Sequence, residues 1–89
     1  MLRLAAIMAL AAGPVAANCA DTPTVVEYLS GQFGEQIQVT GIDNAGFAMV
    51  VWANPDTGTW TVTVSSAEGI TCVISSGTLY ERAADGEPA

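Results

Sequence analysis

Histidine and lysine are missing from the chain altogether, and its two basic residues are Arg3 and Arg82. Without them, nucleophilic serine catalysis lacks its usual general base, so Ser30, Ser65, Ser66, Ser75 and Ser76 have no ordinary activating partner. The same absence, with only two cysteines, removes the common ligand sets for zinc and most transition metals. Nine acidic residues against two bases oppose binding to phosphate backbones or anionic lipid. No cofactor and no nucleic-acid partner are expected, and carboxylates supply the only catalytic chemistry left.

Those carboxylates are badly placed for joint work. Asp43 and Asp56 fall in turns at opposite ends of one predicted strand, which at about 3.3 Å per residue separates them by roughly 20 Å. A glycosidase pair needs about 5 to 10 Å. Asp and Asn in turns are more simply turn formers. Neither Asp43-Asn44 nor Asn54 with Asp56 shows the spaced ligands and terminal acid of a calcium loop, and the glycines punctuate turns without forming a phosphate cradle.

What the chain does have begins with an export signal. Arg3 precedes an apolar run from Leu4 to Ala12, and the small residues Val15-Ala16-Ala17 follow, the layout of a secretory signal peptide cleaved after Ala17. Gly13-Pro14 stops the run well short of the roughly 20 apolar residues that a spanning helix requires, so no stable membrane anchor is expected. Asn18 before Cys19 lacks the small residue that a lipoprotein signal places there. Of the 89 residues, those after position 17 suffice for one domain and no more. That part carries all nine acids and Arg82 alone, a balance that keeps the protein soluble and permits a cationic partner. Cys19 and Cys72 are the only cysteines, and an oxidising compartment favours pairing them.

From Asp21 to Gly34 the pattern reads as one short helix. Asp21 or Thr22 caps it with Pro23 in the first turn, or Thr24 and Glu27 form a capping box, and Gly34 supplies a left-handed stop. Val25, Leu29 and Phe33 form its apolar stripe. After Gly34 the period changes to two. Turn signals at 43–46, 54–58 and 66–69 delimit four strands near 35–42, 47–53, 59–65 and 70–76, a meander of hairpins. The predicted architecture is α+β: one short N-terminal helix packed on a four-stranded antiparallel meander. Residues 18–80 form the domain, and 81–89, with no apolar residue larger than alanine, form a disordered acidic tail.

Pairing Trp52 with Trp60 gathers most apolar residues on one face: Ile37, Val39, Val50, Trp52, Trp60, Val62, Val64, Ile70, Cys72 and Ile74. The helix is expected on that face, with the Cys19–Cys72 bridge beneath its entry, and the two tryptophans as an aromatic pair at the edge of the core and not a carbohydrate platform. The opposite face then reads Gln36, Gln38, Thr40, Thr59, Thr61, Thr63 and Thr71, interrupted by Phe47, Met49, Val51 and Val73. An apolar stripe on an otherwise solvated face asks for a cover. Leu79 and Tyr80 folding back, a second copy of the chain, or another protein would provide it, and these four residues are the candidate binding site.

The spacing of Cys19, Gly34-Glu35, Gly41, Gly46, Trp52, Asn54-Pro55-Asp56-Thr57-Gly58-Thr59-Trp60-Thr61, Gly69, Cys72 and Gly77 resembles a group of small exported bacterial proteins of unknown function. Its most distinctive stretch is Gly58-Thr59-Trp60-Thr61 followed by Gly69 and Cys72. The resemblance implies export and a disulfide and brings no catalytic residue. The functional expectation is a non-enzymatic protein acting by protein–protein binding, with a structural envelope component or a small carboxylate-dependent hydrolase as alternatives.

Overall fold

The computed structural model describes residues 18–83. The expected signal peptide at 1–17 and most of the expected acidic tail lie outside the described residues. The elements are β1 (Cys19–Asp21), α1 (Thr22–Gln32), β2 (Gln36–Ile42), β3 (Ala48–Ala53), β4 (Trp60–Ser65) and β5 (Ile70–Gly77). All strand pairs are antiparallel, in the order β1-β5-β4-β3-β2. The α+β class and the meander are as expected, but the sheet has five strands, not four. The extra strand is the three-residue segment before the helix, too short to show an alternation. It pairs Cys19 with Cys72, Ala20 with Thr71 and Asp21 with Ile70.

A disulfide joins Cys19 to Cys72 across that pair. It closes a loop of 53 residues, and in the chain-entropy model a closure of this length stabilises by about 4 kcal/mol. The helix starts directly after the clamped strand, so the bridge also fixes where the helix begins. Asp21 is the N-cap residue, Pro23 sits in the first turn, and the Thr24 hydroxyl donates to Asp21 Oδ1 at 3.1 Å. The Asp21 side chain makes no capping bond to the helix backbone. At the other end Gly34 is left-handed, with φ 63°, a conformation that costs glycine nothing. The chain there turns back so that Glu35 N–H and Phe33 N–H both donate to the Leu29 carbonyl.

Register decides which face the helix covers, and here the structure departs from the alternation. Ala53 pairs with Trp60, Trp52 with Thr61, Val51 with Val62 and Val50 with Thr63, one residue away from the expected Trp52–Trp60 pairing. The cause lies in the connecting turn. Asn54 N–H donates to the Thr59 carbonyl, Gly58 N–H donates to the Asn54 carbonyl, and Asn54 Oδ1 accepts from the N–H groups of Asp56 and Thr57. This compact loop closes on Ala53 and Trp60. Because β3 reads Ala-Met-Val-Val-Trp-Ala, it is apolar on both faces, and a slip by one residue leaves its own pattern undisturbed.

The consequence is an exchange of faces. Val50 and Trp52 lie with Thr61, Thr63 and Thr71 beneath the helix, and Val25, Leu29, Val50 and Trp52 form the buried cluster with Ala20 packed against it. Trp52 Nε1 donates to Thr63 Oγ1 at 3.1 Å, and Thr63 is 1% exposed. A further hydroxyl chain runs from Thr22 through Thr71 to Ser65, with oxygen separations of 2.7 and 2.6 Å. The threonines expected at a solvated surface thus form the polar floor of the core. Cys72 pairs with Val64, so it points away from the helix. The two tryptophans, expected together, stand on opposite faces.

Two bulges complete the correction. Ile37 pairs with Trp52 as expected, but Gln38 is an extra residue, and Val39 then pairs with Val51 instead of Val50. In β5 the register shifts between Val73, which pairs with Thr63, and Ser75, which pairs with Val62.

Two measurements check this fold. Replacing both cysteines with alanine is expected to lower the free energy of unfolding by about 4 kcal/mol in chemical denaturation. Thr63→Val discriminates between the two registers. On a solvated face it would be neutral, whereas here it strands the Trp52 indole N–H, and a loss of about 1–3 kcal/mol is expected.

Candidate functional site

Two features of the described residues offer a site: the uncovered sheet face and a cleft on the helix side. The uncovered face carries Met49 and Val51 on β3, Val62 and Val64 on β4 and Cys72 on β5, all half-buried. Val39, 61% exposed, extends it on β2, and exposed Ile70 extends it on β5. The single helix among the described residues packs on the other side. The face is therefore aliphatic across four strands, broader than the expected stripe.

The four sequence-predicted binding residues do not stay together. Met49 and Val51 lie on the open face as expected. Val73 pairs with Thr63 and so belongs to the helix side. Phe47 precedes β3 in the turn, its N–H bound to Asp43 Oδ1 at 2.9 Å. Cover by the chain itself is partial and comes from one residue of the expected two. Tyr80 N–H donates to the Gly58 carbonyl and its hydroxyl reaches Gln38 Oε1 at 3.5 Å, while Leu79 is 90% exposed. Trp60 Nε1 donates to the Thr78 carbonyl, and with Gly77 its ring holds this end of the sheet.

The acidic residues of the turns frame the open face. Asp43 and Glu68 stand in the two turns at one end, and Asp56 stands in the turn at the other. Asp43 Oδ1 accepts from Ala45 and Phe47 N–H, and Asn54 orders the loop that holds Asp56. Their first role is the turn-forming one that the sequence indicated. Their second is electrostatic, because they leave carboxylates at both ends of an aliphatic surface.

The cleft lies between α1 and the ends of β4 and β5, with a volume of about 770 Å³. Val25, Tyr28 and Leu29 of α1, with Phe33 just after it, form one wall, and Thr59, Thr61, Val73 and Ser76 line the sheet side. Tyr28 and Phe33 meet edge to face, with ring centroids 5.4 Å apart. Glu35 also lines the cleft. It is 2% exposed, and its Oε1 has no hydrogen-bond partner among the described residues. Sequence reasoning missed Glu35. The available signal was the period of two, which puts Glu35 on the same face as Ile37, an inward position for an acid.

The local sequence explains how Glu35 reaches the interior. Gly34 ends the helix in the left-handed region, and Asn54 Nδ2 donates to the Phe33 carbonyl at 3.0 Å. That bond ties the helix end to the β3–β4 turn, and the residue after Gly34 is swung inward. Among the described residues, no cluster of three His, Cys, Asp or Glu side chains could hold a metal ion, and no helix is long and apolar enough to cross a membrane. The disulfide is of the kind that persists in oxidising, non-cytoplasmic surroundings. Family models, curated proteins and solved structures yield no significant match to the chain.

Gly34 is the testable hinge of this arrangement. A Cβ there would lie 2.9 Å from Asn54 Nδ2, and the left-handed backbone itself penalises alanine. Gly34→Ala is expected to lower stability by about 1–2 kcal/mol in urea denaturation.

Proposed function

We propose that the protein is a non-enzymatic, exported binding domain that engages another protein through the open face of its sheet. The observation that carries this reading is the aliphatic surface formed by Met49, Val51, Val62, Val64 and Cys72, with carboxylates at both ends of it. An uncovered apolar face on a small domain marks an interaction surface, and a row of valines at strand spacing resembles one inner face of a sandwich core.

Charge selects the occupant. A second copy would bring Asp43, Asp56 and Glu68 toward their own equivalents, and like charges at an interface rim oppose association. A partner with an apolar centre and a basic rim meets no such opposition, and steering by this strongly acidic domain would speed its approach. Export is supported by the Arg3-led apolar segment and by the disulfide. The lack of histidine and lysine supports a role without catalysis.

The test combines oligomeric state with face-specific capture. Light scattering is expected to find a monomer. A partner captured from the envelope fraction of the host should be lost with Met49→Lys, retained with Ile37→Lys on the opposite face, and bound at least about tenfold more weakly in high salt. Failure to capture, equal capture by both variants, or a dimer that Met49→Lys dissociates would overturn the reading.

A further inference from the structure

The proposed partner surface makes no use of the helix-side cleft, and there the described residues leave an electrostatic problem unresolved. Glu35 is buried with a carboxylate oxygen that has no partner among the described residues, and no Lys or Arg of those residues lines the cleft. An isolated buried carboxylate is costly unless it is paired or hydrogen-bonded. The surrounding structure nevertheless spends several ordered contacts on placing it: the Gly34 turn, the Asn54–Phe33 bond and the Glu35 N–H bond to Leu29. Beside it is a largely apolar cleft of about 770 Å³, within the range of small-molecule sites.

We propose that this cleft binds an organic cation, a primary ammonium group on an aliphatic stem. The ammonium pairs with the Glu35 carboxylate once this side chain, 2% exposed with its Oε1 shut off from solvent, turns toward the cleft, and the pairing satisfies the orphaned oxygen. The stem lies along Val25 and Leu29. Tyr28 and Phe33, whose rings stand in the same wall, add cation–π attraction of the kind aromatic sites offer to ammonium ions. A metal ion is a poorer match, since among the described residues the cleft offers a single carboxylate and no cluster of acidic ligands. An anionic ligand would meet Glu35 itself. The strongly acidic chain also raises the local concentration of any cation. A free alkylamine and the side chain of a lysine in a polypeptide present the same chemistry.

The test uses the full, disulfide-bonded chain and calorimetric titration with n-hexylamine, n-hexanol, hexanoate and a short peptide with one central lysine. Saturable binding of hexylamine, the lysine peptide or both is expected, with hexanol and hexanoate at least about tenfold weaker. The stronger of the two amines identifies the source of the ligand. Glu35→Gln should reduce amine affinity at least about tenfold, while Glu27→Gln, the same charge change on the exposed helix surface, should leave it within about twofold. Should Glu35→Gln fail to fold, Tyr28→Ala takes its place, with an expected loss of about threefold or more. Equal binding of hexanol and hexylamine, indifference to Glu35→Gln or Tyr28→Ala, or no saturable binding of either amine would overturn the proposal. Met49→Lys does not touch the cleft, so failure here and failure of the open-face reading are distinguishable.

Discussion

The hairpin between β3 and β4 holds the rest of the molecule in its particular form. Asn54 uses its backbone N–H, carbonyl and side-chain oxygen to close a loop that sets Ala53 opposite Trp60. That pairing sends Trp52 toward the helix and Trp60 away from it. Once Trp52 points inward, its indole N–H needs an acceptor in a dry interior, and Thr63 supplies one. A core with threonine on its floor is thus a consequence of one turn. Asn54 also reaches the helix end through the Phe33 carbonyl, so the same residue sets sheet register and helix termination.

The threonine floor has a second effect. Thr61, Thr63 and Thr71 are smaller than the valines and isoleucines that an all-apolar face would have presented, and the helix contributes only Val25 and Leu29 to the buried cluster. The core is small, and a cleft remains between helix and sheet where Glu35 enters. A domain of this size with so limited a core needs a staple, which is the thermodynamic place of the Cys19–Cys72 bridge. The bridge acts on the sheet itself, by locking a three-residue strand to the edge of β5, and reaches the helix only through chain continuity.

Placing the threonines inside puts the valines outside. Met49, Val51, Val62 and Val64 are left on a surface that the described chain covers only at one end, through Tyr80. The two candidate sites are therefore linked by one geometric choice: the register that opens an aliphatic face on one side also makes room for a carboxylate-bearing cleft on the other. They differ in chemistry, the first being broad, apolar and rimmed with acid, the second a cleft with one buried acidic side chain in its lining.

Much of this was legible in the amino-acid order. Gly34 and the spacing of Val25 and Leu29 marked the helix to within a residue or two, the three Gly-bearing turns marked the hairpins, and two cysteines in an otherwise cysteine-free chain marked the bridge. These are local signals, each confined to a few neighbouring residues whose backbone preferences act alone. Strand register was not legible, because β3 is apolar at every position and fits either face equally well. The short strand at Cys19 was not legible either, since it depends on residues some 50 positions away, and the burial of Glu35 was signalled only by the period of two that it shares with Ile37. Local conformation followed from the chain, while facing, pairing and the placing of a charge in the interior were settled only when the turn at Asn54 brought distant segments into a single register.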